Sequence, residues 1–391
     1  MRTQVHIRIT FQPWVERHAR QIQDPVEKLR YLQAAAAPTD PAKHRARIGF
    51  RLSSLVLMLT TASFFAVRAK VQVEPLPLYA RQIPPPMPVR EMPVERFPDV
   101  WQVDSAREFE TYSNGLRIDN RYAISNHPRS YRIFPLGRPD SGSETRYTQP
   151  VGIVFHTTES EQEPFERSHN GVLKKAAESL VEFVRHRRCY NFLIDRFGRV
   201  FRIVVESDAA QHAGYSVWSD EQWLYVDLNE SFLGVSFEAR TEPGQEEPSI
   251  SPGQVRAASM LIEMLRSRYR ISVANCVTHA EVSVNPANMR IGFHTDWASS
   301  FPFEELGLPN NYALPLPALV AFGFEADDEY RRVGGARLEG GVQLAEDLLR
   351  RRALERGQSL AVYRRGLQRT YHEYFHRGGE VSGVGRVVGA P

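Results

Sequence analysis

Hydrophobic and polar positions alternate at two different periods along the second half of the chain. Residues 151–155 form an apolar run that ends at His156, the pattern of a buried strand. Over 171–186, Leu173, Ala177, Leu180, Val181 and Val184 recur at helical spacing on one face. The runs 190–195 and 200–205 flank Arg196-Phe-Gly-Arg199, which predicts a hairpin. A third strand is expected over 233–239. Ser251-Pro252 then supplies an N-cap and a proline at the first helical position. The helix it opens carries Val255, Ala258, Leu261, Ile262, Leu265 and Tyr269 inward. Residues 341–376 hold two more helical patterns separated by Gly357, and 101–150 reads as short strands and turns. The fold class this predicts is α/β, a central mixed β-sheet flanked by helices, with a helical C-terminal extension.

The first hundred residues follow other rules. The run 52–67, from Leu52 to Val67, has sixteen residues without a charge, about 24 Å as a helix. Lys43, Arg45, Arg47 and Arg51 precede it, which predicts an N-in, C-out signal anchor. A cleaved signal peptide after Val67-Arg68-Ala69 and a buried core helix are the other readings. Eight of the chain's 26 prolines fall in 71–100, and a run so rich in proline stays extended as a spacer. The expected organisation is a cytoplasmic tail (1–47), a membrane anchor (48–70), a Pro-rich linker (71–100) and a β-rich lead-in (101–150). A catalytic domain (151–312) and the helical extension (313–391) complete it. The expected location is the cell envelope, with the catalytic domain outside the cytoplasm.

Charge sharpens this division. Of 391 residues, 49 are basic and 46 acidic, a net charge of +3 that argues against a nucleic-acid partner. Residues 1–51 carry ten basic and four acidic side chains, so the remaining 39 basic and 42 acidic residues sum to −3. Two cysteines, Cys189 and Cys276, exclude a disulfide-built scaffold but leave a single disulfide or two free thiols open. The basic and aromatic C-terminus, with Tyr363, Tyr371 and Tyr374, either contacts acidic surfaces or packs its tyrosines inside a helical pair.

Metal-ligand side chains gather where apolar strands end. They lie in Gly152-Ile-Val-Phe-His156-Thr-Thr158, in Asn275-Cys-Val-Thr-His279-Ala-Glu281 and in His294-Thr-Asp296-Trp297. A histidine at the end of a buried strand is held rigidly. Two histidines and a carboxylate leave the fourth position of a zinc ion open, as catalysis requires.

The order of these segments resembles the zinc-dependent N-acetylmuramoyl-L-alanine amidases, the superfamily that includes phage lysozyme-type amidases and peptidoglycan recognition proteins. GIVFHTT (152–158), YNFLIDRFGRVFR (190–202), QHAG (211–214), NESFLGVSFEA (229–239), THAEVSVNP (278–286) and HTDWASSFPF (294–303) carry the likeness, over about 150–310. The resemblance implies that His156, His279 and Asp296 hold Zn2+, with His294 the rival third ligand. It implies a catalytic tyrosine at Tyr190 and places His294 where many members have an oxyanion-steadying lysine. It puts His212 in the substrate groove. The substrate it implies is peptidoglycan or a muropeptide, cut between N-acetylmuramic acid and L-alanine.

Three departures bear on the site. The interval from His279 to Asp296 is long, so 284–293 reads as an inserted loop. Trp297 stands where Pro-Gly often follows the aspartate. The strand's usual glutamate position is Ser236, and Glu238, two residues on, is the nearest carboxylate expected on the same face. Glu238 is therefore the expected general base, with His294 as the alternative. The competing readings are a non-catalytic peptidoglycan-binding module and an envelope structural protein with a vestigial site.

Overall fold

Eight strands make the main sheet, and the two that matter most for the site are buried on both faces. The chain begins with β1 (Gln102–Ser105), β2 (Phe109–Tyr112), β3 (Arg117–Asp119), β4 (His127–Pro128), β5 (Phe134–Pro135) and β6 (Gly152–Thr157). Helix α1 (Asn170–Arg187) leads into the hairpin β7 (Phe192–Ile194) and β8 (Val200–Arg202), then β9 (Asp208–Ala209), β10 (Val217–Ser219) and β11 (Trp223–Val226). The single-turn helix α2 (Leu228–Ser231) precedes β12 (Phe232–Phe237), and α3 (Pro252–Tyr269) precedes β13 (Cys276–Thr278). A second single turn, α4 (His279–Val282), is followed by β14 (Val284–Asn285), β15 (Arg290–Ile291), α5 (Pro317–Val320), α6 (Asp328–Glu355) and α7 (Leu360–Gly379). This computed structural model describes residues 95–136, 146–242 and 250–379.

The main sheet runs β1-β2-β3-β8-β7-β12-β6-β13. Its centre, β7-β12-β6-β13, is parallel, whereas β1-β2-β3 and the β7–β8 hairpin are antiparallel, so the sheet is mixed. The stretch 101–150 is thus part of this sheet through its first three strands. The β6–β12 pairing is tight because Gly152 has no side chain: a Cβ there would lie 2.1 Å from the Phe232 ring.

Alternation along β6 sends Ile153 and Phe155 to one face and Val154 and His156 to the other. The first face packs against α3 through Ala257, Ala258, Leu261, Ile262 and Leu265. That helix starts where Ser251 accepts from Gln254 N at 3.1 Å while Gln254 Oε1 accepts from Ser251 N at 3.0 Å, a complete capping box. On the opposite face Val181 and Val184 of α1 pack against Leu193 and Phe201. Truncating one large buried ring such as Phe155 would cost about 3–5 kcal/mol.

Helices α6 and α7 flank Gly357, whose φ of +63° ends the first of them. Tyr363, Tyr371 and Tyr374 are all buried, with Tyr374 at 4.5 Å from the Phe134 ring and Tyr371 at 4.9 Å from Phe324. Tyr374 therefore packs α7 against β5, a strand of the separate three-stranded sheet β10-β11-β5, and Tyr371 packs it against the segment ahead of α6. Cys189 and Cys276 are both free thiols. Among the described residues no helix is long and apolar enough to cross a membrane. The tail, the expected anchor from Leu52 to Val67 and nearly all of the Pro-rich spacer lie outside the described residues.

Candidate metal centre

His156 is the fifth residue of β6 and faces away from α3, so the period of the strand alone aims its ring at the opposite face. His279 opens α4 directly after β13, β6's neighbour in the sheet. The third segment is brought back by the short β14–β15 hairpin, so 284–293 is a paired turn rather than an open loop. Gly292 N donates to Ser283 O at 2.8 Å and His294 N to Ser283 Oγ at 3.0 Å. Ala280 N then donates to Asp296 O at 3.2 Å, which seats Asp296 beside His279.

His156, His279 and Asp296 form the one metal-competent cluster among the described residues, with ligand atoms within 4.8 Å of one another. His156 Nδ1 lies 3.1 Å from Asp296 Oδ2, and His279 Nδ1 lies 2.7 Å from Asp296 Oδ1. All three residues are at most 9 % exposed. His294 takes no part in this cluster: its ring stacks on His279 at 4.9 Å with an interplanar angle of 20°. The Asp296 carboxylate, and not the His294 ring, is the third side chain of this cluster.

The remaining ring nitrogens identify the tautomers. His212 Nε2 is 3.3 Å from Phe232 O and His279 Nε2 is 3.4 Å from Ala213 O. A carbonyl only accepts, so both Nε2 atoms carry the proton. Burial, followed by repulsion from His156, holds the His212 pKa well below its ordinary value, so the ring is neutral and its Nδ1 is an acceptor. His156 Nε2, 3.1 Å from that Nδ1, must then be the donor. Burial and His279 push the His156 pKa down to about 4, which keeps this ring neutral as well. The Nδ1 atoms of His156 and His279 and the Asp296 carboxylate consequently face one another in a buried space. Burial alone would raise the Asp296 pKa, but His279 and His156 outweigh it and hold it well below the usual carboxylate range. Two imidazole nitrogens and a carboxylate converging in one buried space fit a divalent cation, and nitrogen, nitrogen and oxygen suit zinc.

Tyr190 sits at a φ of +60°, with its ring 5.0 Å from that of His156. Burial, then the Asp296 charge, raises its pKa well above the ordinary value, so it stays a hydroxyl donor. Ser236 pairs with His156 across β12 and β6 and borders Tyr190.

One expectation differs from the geometry. Glu238 is not turned toward this cluster. Strand β12 ends at Phe237, and Glu238 Oε2 accepts from Arg196 N at 3.1 Å at the tip of the β7–β8 hairpin. Its pKa is raised by burial, and the charges that act on it are Asp195, Arg196 and Arg199. The regular two-residue period fails here because the strand has already ended. His212, expected in a substrate groove, has its ring nitrogens against His156 Nε2 at 3.1 Å and Phe232 O at 3.3 Å. Trp297 holds a φ of +61° with its ring buried, and its backbone N–H donates to Thr241 Oγ1 at 3.0 Å.

Sequence reasoning did not find Arg129, Asn229 or the part played by Gly234. Of these, only Gly234 left a signal, a glycine in the middle of an apolar strand.

Residues 146–296 match the family described as Amidase_2, N-acetylmuramoyl-L-alanine amidase. Among solved structures, the chain is similar to the Escherichia coli amidase AmiD bound to anhydro-N-acetylmuramic acid-L-Ala-D-gamma-Glu-L-Lys, at 18% identity and a TM-score of 0.35, over 54% of this chain and 88% of that one. AmpDh3 from Pseudomonas aeruginosa is similar at 21% identity and a TM-score of 0.33, over 52% and 87%. LysC from Clostridium intestinale URNW is similar at 18% identity and a TM-score of 0.26, over 47% and 93%. No curated protein matches the chain. The ligand segments, their convergence and the match across 146–296 together make this part of the chain a member of the N-acetylmuramoyl-L-alanine amidase family.

Proposed function

We propose that this protein is a zinc-dependent amidase that hydrolyses the bond between the lactyl group of N-acetylmuramic acid and L-alanine in peptidoglycan. The observation that carries the zinc assignment is the convergence of the Nδ1 atoms of His156 and His279 with the Asp296 carboxylate. Zinc bound there would draw the pKa of a water from about 15.7 towards 7 and polarise the scissile carbonyl.

The chain's own residues divide the remaining work. Tyr190 keeps its proton and offers it to the oxygen on which negative charge develops. His294, stacked on His279 with its ring open to solvent, is the proton carrier this reading assigns. Desolvation and the neighbouring His279 lower its pKa, so it is neutral and able to accept a proton. Glu238, occupied at the hairpin, has no part. Phe293, 57 % exposed with its ring 4.8 Å from that of His294, offers a flat apolar surface to a sugar or peptide beside the reacting bond.

The apolar run from Leu52 to Val67, its basic N-terminal flank and the Pro-rich spacer support a catalytic domain tethered outside the cytoplasm. On that reading the substrate is wall polymer rather than a released muropeptide. Digestion of purified sacculi with the full chain, followed by mass analysis, tests the reaction. Free stem peptides that disappear with chelator are expected; cut glycan strands, or no products, would exclude it.

A further inference from the structure

We propose that the dipeptide His212-Ala213 is a positioning device that holds both metal histidines with Nδ1 free for the ion, and that 229–234 is the seat built for it. This rests on the zinc assignment above. His212 Nδ1 accepts a hydrogen bond from His156 Nε2 at 3.1 Å, and Ala213 O accepts one from His279 Nε2 at 3.4 Å, so one turn of chain addresses both rings from behind. Without these acceptors either ring could carry its proton on Nδ1 instead and present N–H to the ion.

The turn itself is clamped. Asn229 Oδ1 accepts from His212 N at 2.9 Å and from Ala213 N at 2.7 Å. Gln211 N donates to Arg188 O at 3.0 Å, anchoring the residue before. Five residues after Asn229, Gly234 leaves room for the imidazole: a Cβ there would stand 2.6 Å from His212 Cγ. Between them, Phe232 O accepts from His212 Nε2, which fixes the ring with Nδ1 turned toward His156. Clamp, ring orientation and space thus come from a single stretch of six residues. His212, with both nitrogens engaged inside the protein, acts through His156 and not on the substrate.

The test is zinc affinity of the full chain, read by competition with a chromophoric chelator, alongside kcat and KM at saturating zinc. His212→Ala should weaken zinc binding about 10- to 100-fold and leave KM unchanged. His212→Asn, whose amide oxygen can stand where Nδ1 stood, should recover most of that loss. Gly234→Ala should weaken zinc in the same direction by displacing the ring. Leu265→Ala, a core truncation in α3, should lower thermal stability without changing zinc affinity. Zinc affinity within twofold of wild type in His212→Ala would overturn the proposal, as would a raised KM at unchanged affinity or a His212→Asn variant no better than alanine. A wild-type chain that binds no zinc would remove the metal assignment itself, a different and separately visible result.

Discussion

Arg129 Nη2 donates to Asn191 Oδ1 at 2.9 Å inside the protein, far from solvent. The same guanidinium donates to Glu206 O at 2.8 Å and to Phe232 O at 2.7 Å, while Asn191 Oδ1 also accepts from Gly234 N at 3.0 Å. One cation therefore ties the lead-in segment to the first residue of β7's hairpin region and to β12. Burial lowers its pKa to about 10, which still leaves it charged at neutral pH. Arg129→Met should destabilise the fold by about 3 kcal/mol, because several buried acceptors lose a charged donor together. Urea unfolding followed by circular dichroism measures it; a loss under about 0.5 kcal/mol would show that water replaces the guanidinium.

Asp296 ties metal binding and fold together. His279 and His156 hold its carboxyl well below the usual range, so the fold favours the ionised form even without a cation. Asp296→Asn removes that charge from beside both imidazoles. The expected outcome is loss of zinc binding and activity with metal-free stability lower by about 1 kcal/mol. Melting curves with and without chelator check it: wild type should respond to chelator and the variant should not.

Tyr190 and Glu238 separate the two carriers of chemistry that sequence alone proposed. Tyr190→Phe removes a donor aimed at the developing charge and should lower kcat about 100-fold while zinc affinity holds. Glu238→Gln should leave kcat within about twofold, because its oxygen serves the hairpin backbone. Since burial raises the Glu238 pKa, its ionised form carries a cost that is present above its folded pKa and absent below its unfolded one. The glutamine variant should therefore be no less stable at neutral pH. A large fall in kcat for Glu238→Gln would return the base assignment to it.

Glu110 sets part of the acid limit. Burial alone would raise its pKa, but hydrogen bonds from Arg202 and Tyr112 bring it down to about 2. Arg202 reaches it from β8, with Nη1–Oε1 and Nη2–Oε2 both at 2.9 Å, joining β2 to the hairpin. A carboxyl depressed in the folded state contributes stability that is complete above about pH 4.5 and lost as pH falls through about 2. Glu110→Gln should be less stable at pH 7 and show a flatter decline over that window. Parallel acid titrations of the two proteins, followed by tryptophan fluorescence, would show whether their slopes differ.

Local rules were enough to read a good part of this protein. Alternation over 151–156 placed His156 on a definite face, because strand geometry has a fixed period and needs no partner to express it. Ser251 and Pro252 marked the start of α3 because capping is settled within one turn. The ligand segments and their order were equally legible, since metal chemistry restricts residue type. What only the tertiary structure decided was where long-range neighbours stand. Glu238 and His212 obey their local patterns up to the point where the strand ends or another ring arrives, and nothing nearby in sequence marks either event. Arg129 looked like any surface arginine until five acceptors from three distant segments closed around it. Local sequence carries the period of an element and the chemistry of its side chains; the partners that commit a proton or a charge come from segments brought together by folding.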